Sequence, residues 1–223
     1  MTMMNLPLIK VLSPELASKV LASMRSYQYK KDCLIASPGE DVLGIYFLTA
    51  GLVRFELVSL DGINSFIGII RAGDIFGDCE LLGDYRYFAQ VVAHENCDLM
   101  LLPKAMVAEC CNESAPFALE LARTMAEKLR QLQYVQAYRH QLSLDVYVAR
   151  TLLFLAKKFG VNLSNGRILV DVHLSQEQLA NILGKTRQSV SGLIQRWKEL
   201  NWIEYHYGKI ILCDMDGINS LLD

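Results

Sequence analysis

Residues 174–203, LSQEQLANILGKTRQSVSGLIQRWKELNWI, constrain this chain more than any other stretch. Their apolar spacing fits two short helices joined across a tight turn. Ser175 with Gln178 has the Ser-x-x-Gln form of a capping box, so a helix starts there. Leu179, Ile182 and Leu183 give that helix one apolar face, and Gly184 supplies the turn. Thr186 can cap the second helix. On it Val190, Leu193, Ile194 and Trp197 recur at i, i+3, i+4 and i+7 and point inward. Trp202–Tyr205 and Lys209–Leu212 are strand-like runs around His206-Tyr207-Gly208, as in a β-hairpin. A helix-turn-helix followed at once by a small hairpin is a winged helix.

The polar side of the second helix holds Arg187, Gln188, Ser191 and Gln195. Its first turn is the part of a recognition helix that enters the major groove. Arg matches guanine O6 and N7 in bidentate fashion, and Gln does the same for adenine N6 and N7. Ser191 and Gln195 continue that face one and two turns further. An ordinary helical hairpin with a solvated face has the same periodicity, so the wing is what favours DNA.

Charge gives weak support. The net charge is −2, with 13 basic and 16 acidic residues in 1–142 and 9 and 8 in 143–223. Affinity for nucleic acid would come from local placement of Lys185, Arg187, Arg196, Lys198 and Lys209 rather than from a bulk field. At 223 residues and 52% hydrophobic the chain suits two small domains. No run of 18 apolar residues predicts a membrane span, and the opening MTMMNLPLIK lacks the form of a signal peptide. A cytoplasmic location is expected.

From about 28 to 104, short apolar or alternating runs are punctuated by glycine, and Asp61-Gly62 is a hairpin signal. Val53, Phe55 and Leu57 alternate with Arg54 and Glu56, the period of a half-buried strand. This texture predicts a β-sandwich or roll. Residues 6–27 predict one or two short helices with Ser13 as a cap, and Pro103 starts another helical region. Residues 115–142 predict one long helix. Ala118, Leu121, Met125, Leu132 and Val135 form its stripe, with Lys128 in the slot where an apolar residue is missing. The stripe could pack on the roll, as most amphipathic helices do, but the length suits a parallel dimer seam better, with the Lys128 stem covering apolar surface at its edge. A hinge is expected near Gln141–Ser143, before a helix in 143–158.

The order roll, long helix, winged helix resembles the CRP/FNR family of bacterial transcription regulators. The resemblance spans nearly the whole chain. It is carried by PGEDVLGIYFLTAGLVRFE (38–56), RAGDIFGDCELL (71–82), the 115–142 helix, ARTLLFLAKK (149–158) and LSQEQLANILGKTRQSVSGLIQRW (174–197). It implies an α+β protein: an N-terminal double-stranded, jelly-roll-like β-roll for effector sensing (1–114), a dimerisation helix (115–142) and a winged-helix DNA-binding domain (143–223). The implied partners are a second copy, a near-palindromic operator and RNA polymerase. By the same resemblance Arg187 and Gln188 read bases, and Ser175 and Gln176 bond phosphates. Lys185 by its local charge, Thr186 at the helix start, and Ser191 and Gln195 on the outward face join the expected DNA-binding set. Gly192 stands where cyclic-AMP-responsive members carry a second arginine, so the operator differs from theirs.

The resemblance also places an effector loop at Gly77, Asp78 and Cys79, facing Arg86, Tyr87, Phe88 and, on the long helix, Leu132 and Gln133. Cyclic AMP is disfavoured there. Asp78 replaces the family's Glu, Tyr87-Phe88 replaces its Arg-Ser, and strand alternation turns Arg86 to the other face. A buried cyclic phosphate without its cation is heavily penalised. Tyr87, Phe88 and Leu132 suit an apolar effector or a filled core. An iron–sulfur cluster is disfavoured because only Cys33 lies in the first 78 residues. Haem is disfavoured because His94 is the sole histidine before 140. No metal site is expected. The six cysteines form no Cys-x-x-Cys and are expected to be reduced, mostly buried thiols; sensing by Cys79 or Cys110-Cys111 would need an exposed, electropositive setting. No His-x-His pair, Gly-x-Ser-x-Gly or phosphate loop is present, so an enzyme is not expected. The competing reading is an effector-independent, constitutive or redox-modulated DNA-binding dimer whose roll docks a protein.

Overall fold

The glycine-punctuated stretch folds into two four-stranded antiparallel sheets. A computed structural model describes residues 6–58, 64–139 and 143–222, and their side chains except at 64, 131 and 134–139. The strands of the roll are β1 (Arg25–Tyr29), β2 (Leu34–Ala36), β3 (Gly44–Ala50), β4 (Leu52–Val58), β5 (Asn64–Arg71), β6 (Ile75–Phe76), β7 (Gln90–Ala93) and β8 (Cys97–Pro103). One sheet has the order β1-β8-β3-β6, the other β2-β7-β4-β5. Tyr46, Leu48, Val53, Phe76, Tyr87, Val91 and Leu99 are all buried in the shared core. Tyr46 stacks on Phe76 with ring centroids 4.8 Å apart.

The alternation read in β4 holds only at its start. Val53 is fully buried, Phe55 partly so, and Leu57 is exposed. The β4–β5 register shifts between Phe55 and Glu56, and such a bulge re-aims the side chains beyond it. The Asp61-Gly62 turn expected between these strands lies outside the described residues.

Helices close one side of the roll. They are α1 (Pro7–Lys10), α2 (Pro14–Ser23), α3 (Asp78–Leu82), α4 (Lys104–Glu113) and α5 (Ala115–Arg139). The Ser13 hydroxyl accepts from the Leu16 N–H, capping α2 as expected. Leu8, Ile9, Val20, Phe47, Leu102, Val107, Phe117 and Leu121 share a second buried cluster. The chain divides into two compact units, Met1–Gln131 and Leu132–Asp223, and the division falls within α5.

The first half of the α5 stripe packs on the roll, one of the two readings its spacing allowed. Leu121 is 2% exposed, packed into the roll with Phe117. Leu119, Ala122, Ala126 and Leu129 are exposed instead, and Leu132 further along is exposed too. The Val135 side chain lies outside the described residues. The Lys128 ammonium turns to the buried Asp78 carboxylate, where its stem was expected to cover a seam edge. The stripe is one helix face, covered by the roll from Ala118 to Lys128 and exposed at Leu132, and the open line Leu119, Ala122, Ala126 and Leu129 runs beside it.

The second unit contains α6 (Leu144–Phe159), β9 (Gly160–Asn162), β10 (Ile168–Val170), α7 (Gln176–Leu183), α8 (Arg187–Glu199), β11 (Ile203–His206), β12 (Lys209–Leu212) and α9 (Met215–Asn219). The Ser143 hydroxyl accepts from the Val146 N–H and caps α6; residues 140–142 of the expected hinge lie outside the described residues. The wing is larger than a hairpin, with strand order β11-β12-β10-β9. Strands β9 and β10 have three residues each, too few to show a period in sequence. No helix among the described residues is long and apolar enough to cross a membrane.

Candidate nucleic-acid interface and effector loop

Both reciprocal bonds of the predicted capping box are present at α7. The Ser175 hydroxyl accepts from the Gln178 N–H at 3.1 Å, and the Gln178 carboxamide accepts from the Ser175 N–H at 2.9 Å. Gly184 ends α7 in the left-handed conformation, φ 59°, and α8 starts three residues later. Thr186 accepts from the Ser189 N–H at 3.2 Å. Val190, Leu193, Ile194 and Trp197 are all buried, as their spacing required. Burial of four large apolar side chains on one side, at roughly 1.5–3 kcal/mol each, fixes which side of α8 faces out.

That outward side carries the predicted residues. Lys185, Thr186, Arg187, Gln188 and Gln195 are exposed and Ser191 is half-buried. Ser175 and Gln176 are half-buried at the start of α7. The wing tip is tied to this same region. The Leu174 N–H donates to the Gly208 carbonyl at 2.8 Å, and the Tyr205 hydroxyl donates to the Leu174 carbonyl at 2.8 Å. Tyr207 and Gly208 both have positive φ, 48° and 80°, the form of a type I′ hairpin turn. Tyr207 is 96% exposed at the tip. The start of α7 and the wing tip therefore form one ridge beside the start of α8. Sequence spacing located the hairpin but not the hydrogen bonds that anchor it.

A further polar group ties the other end of α8. Asp145, in the first turn of α6, accepts from the Arg196 guanidinium and, at 3.1 Å on the same oxygen, from the Trp197 indole N–H. Burial pushes this carboxyl up, but the bonds from Arg196 and Trp197 outweigh it and hold it below the usual aspartate range. Asp145 and Arg196 lie 51 residues apart, so nothing local in the sequence pairs them.

The predicted effector loop is a site of charge pairing. Gly77 adopts φ 81°, and a Cβ there would stand 2.8 Å from the Gly44 carbonyl oxygen, so the loop needs glycine. Asp78 follows at the start of α3 and is 1% exposed. Lys128 on α5 donates to both of its oxygens, at 2.6 and 2.7 Å, and to the Ile75 carbonyl at 3.1 Å. Cys79 is exposed on the same turn. Burial, then the neighbouring Asp78 charge, pushes its thiol up, which opposes thiolate formation.

The remaining loop residues separate. Tyr87 is buried, its ionisation pushed up by burial, and its hydroxyl lacks a hydrogen-bond partner among the described residues. Arg86 is exposed and pairs with Asp41 at 2.9 Å. Phe88 is 65% exposed. Leu132 and Gln133 are exposed on α5 and belong to the second unit. The filled-core reading of Tyr87, Phe88 and Leu132 thus holds for Tyr87 alone. The described donors do not fit a buried cyclic phosphate: Arg86 is exposed at the surface, and Lys128, the cation at the loop, is committed to a buried carboxylate.

His94 is buried, directly after β7, with its backbone N–H on the Leu52 carbonyl at 2.9 Å. One further expectation changes. The thiols are mixed, with Cys97 and Cys110 buried, Cys111 and Cys213 half-buried, and Cys33 and Cys79 exposed. Burial pushes Cys97 and Cys110 up to about 11. Among the described residues no three His, Cys, Asp or Glu side chains cluster as metal ligands.

Comparison with known proteins agrees with this architecture. Residues 27–114 match the cyclic nucleotide-binding domain and residues 148–221 the Crp-like helix-turn-helix domain. Transcriptional regulator LdrP of Thermus thermophilus is 31% identical over 182 residues, which is 81% of this chain and 88% of that protein. The global nitrogen regulator of Nostoc sp. is 25% identical over 184 residues, 82% of each. A solved structure of a CooA mutant from Carboxydothermus hydrogenoformans superposes with a TM-score of 0.77 at 23% identity, covering 98% of this chain and 97% of that one; it supports the fold alone. With both domains matched in order, the chain belongs to the CRP/FNR family of transcription regulators.

Proposed function

We propose that the chain is a dimeric, sequence-specific DNA-binding transcription regulator. One observation carries this reading. The first turn of α8 holds Arg187 and Gln188 outward, backed by four buried apolar residues and flanked by the anchored wing. Arg187 and Gln188 read base edges in the major groove, with Ser191 and Gln195 further along. Ser175, Gln176, Lys185 and Thr186 meet phosphates. The exposed line Leu119, Ala122, Ala126 and Leu129 is the seam for a second copy, and the two-fold pair matches a near-palindromic operator. Its further partner is RNA polymerase. In this division of labour 1–114 senses, 115–142 pairs and 143–223 binds DNA. The test is a gel shift with duplexes selected from a random pool, repeated with Arg187→Ala.

In the leading reading an effector other than cyclic AMP shifts the population of dimer arrangements that set the spacing of the two α8 helices. The Asp78–Lys128 pair favours a second reading. It already joins the effector loop to the long helix, so DNA binding needs no small molecule. Operator affinity of the purified chain before and after addition of a metabolite panel separates the two.

A further inference from the structure

Helix α8 carries a cation that the reading face does not use. Arg196 lies eight residues beyond Gln188, so at 100° per residue it sits about 80° round the helix and roughly 12 Å further along. The major groove is about 12 Å wide, and a helix with its side chains is about 10–12 Å across. A side chain on that flank therefore faces a phosphate wall and not a base edge. An exposed arginine there adds affinity for any duplex and so lowers selectivity.

Arg196 is not free to do so. Its guanidinium donates to Asp145, whose accepting oxygen is held from the other side by the indole N–H of Trp197, itself fully buried. An ordinary surface ion pair is worth little because both side chains wander. Here the carboxylate is fixed by a buried donor, and it sits on a helix start fixed by the Ser143 cap. Only the arginine has freedom to leave, and it would leave a partner already oriented for it.

We propose that Asp145 is a specificity-determining residue: it holds the Arg196 charge on the protein, away from the DNA backbone, and so suppresses non-specific binding. The inference rests on the DNA-binding reading above. Its measure is the slope of log affinity against log salt on a duplex of random sequence, to which each neutralised phosphate adds about 0.9.

The experiment compares full-length wild type, Asp145→Asn, Arg196→Gln and the double variant on that duplex. Asparagine keeps an acceptor for the Trp197 indole but loses the charge that retains Arg196, and tryptophan fluorescence with thermal melting verifies the fold. Asp145→Asn is expected to steepen the slope by about 0.9 per bound protomer and to tighten non-specific binding several-fold at low salt. Arg196→Gln alone and the double variant are expected to keep the wild-type slope. An unchanged slope in folded Asp145→Asn overturns the proposal. So does Arg196→Gln flattening the slope by itself, since that arginine would then already be on phosphate, and this arm stands even if Asp145→Asn fails to fold. Wild type with no affinity for any duplex overturns the DNA-binding reading and the inference with it.

Discussion

Lys128 grips both carboxylate oxygens of Asp78, at 2.6 and 2.7 Å, across 50 residues of sequence. The aspartate is 1% exposed and the lysine side chain 33%. Removing one partner of such a pair strands a buried charge and typically costs about 3–5 kcal/mol. Lys128→Met is accordingly expected to lower the stability of the roll by that amount in urea unfolding. Asp78→Val combined with Lys128→Met should recover at least half of the loss, because replacing both charges removes the stranded one. Additive losses in the cycle would mean the two side chains do not depend on each other.

Recognition by α8 makes a sharper prediction. Arg187→Ala is expected to cost about 1–3 kcal/mol at the selected operator and to relax preference at one base position per half-site. Lys185→Ala, if Lys185 meets a phosphate as proposed, should weaken all sequences alike and flatten the salt slope by about 0.9. Competition gel shifts with single-base operator variants check both.

Dimerisation tests the open face of α5. Leu129 is 56% exposed in the single chain. Wild type should sediment as a dimer and Leu129→Glu as a monomer with its roll intact, because a charge in an apolar seam is left unpaired. Leu121→Glu should instead unfold the roll, since Leu121 belongs to its core.

The legible parts of this molecule were those written in local spacing. The capping box at Ser175 and Gln178, the Thr186 cap and the Val190, Leu193, Ile194 and Trp197 face depend on neighbours within a few turns, so sequence alone specified them. Pairings over long separations were not legible. Lys128 was visible as a gap in a stripe, yet nothing local named Asp78 as its partner. Asp145 stood in the first turn of a helix, where an acidic residue has an ordinary role beside the helix dipole. The α5 stripe showed an apolar face but not what covers it: from Ala118 to Lys128 that face meets the roll, and a 3–4 spacing does not distinguish a roll from a second helix.

Acid titration checks the Asp145 contacts. A carboxyl held below its unfolded value favours folding when ionised in both states. That contribution is complete above the unfolded aspartate value of about 3.9 and is lost as pH falls through the lower folded value. Wild type and Asp145→Asn should therefore differ in urea stability by a constant amount from pH 6 to 8. The gap should close below about pH 4.

Selection of duplexes from a random pool by the purified wild-type chain, followed by sequencing, tests the central claim most directly. Two symmetric chains, each presenting the segment that begins at Arg187, should enrich an inverted repeat whose half-site centres lie about one helical turn, roughly 10 base pairs, apart. Enrichment of a single unrepeated site, or of no sequence at all, would contradict the account.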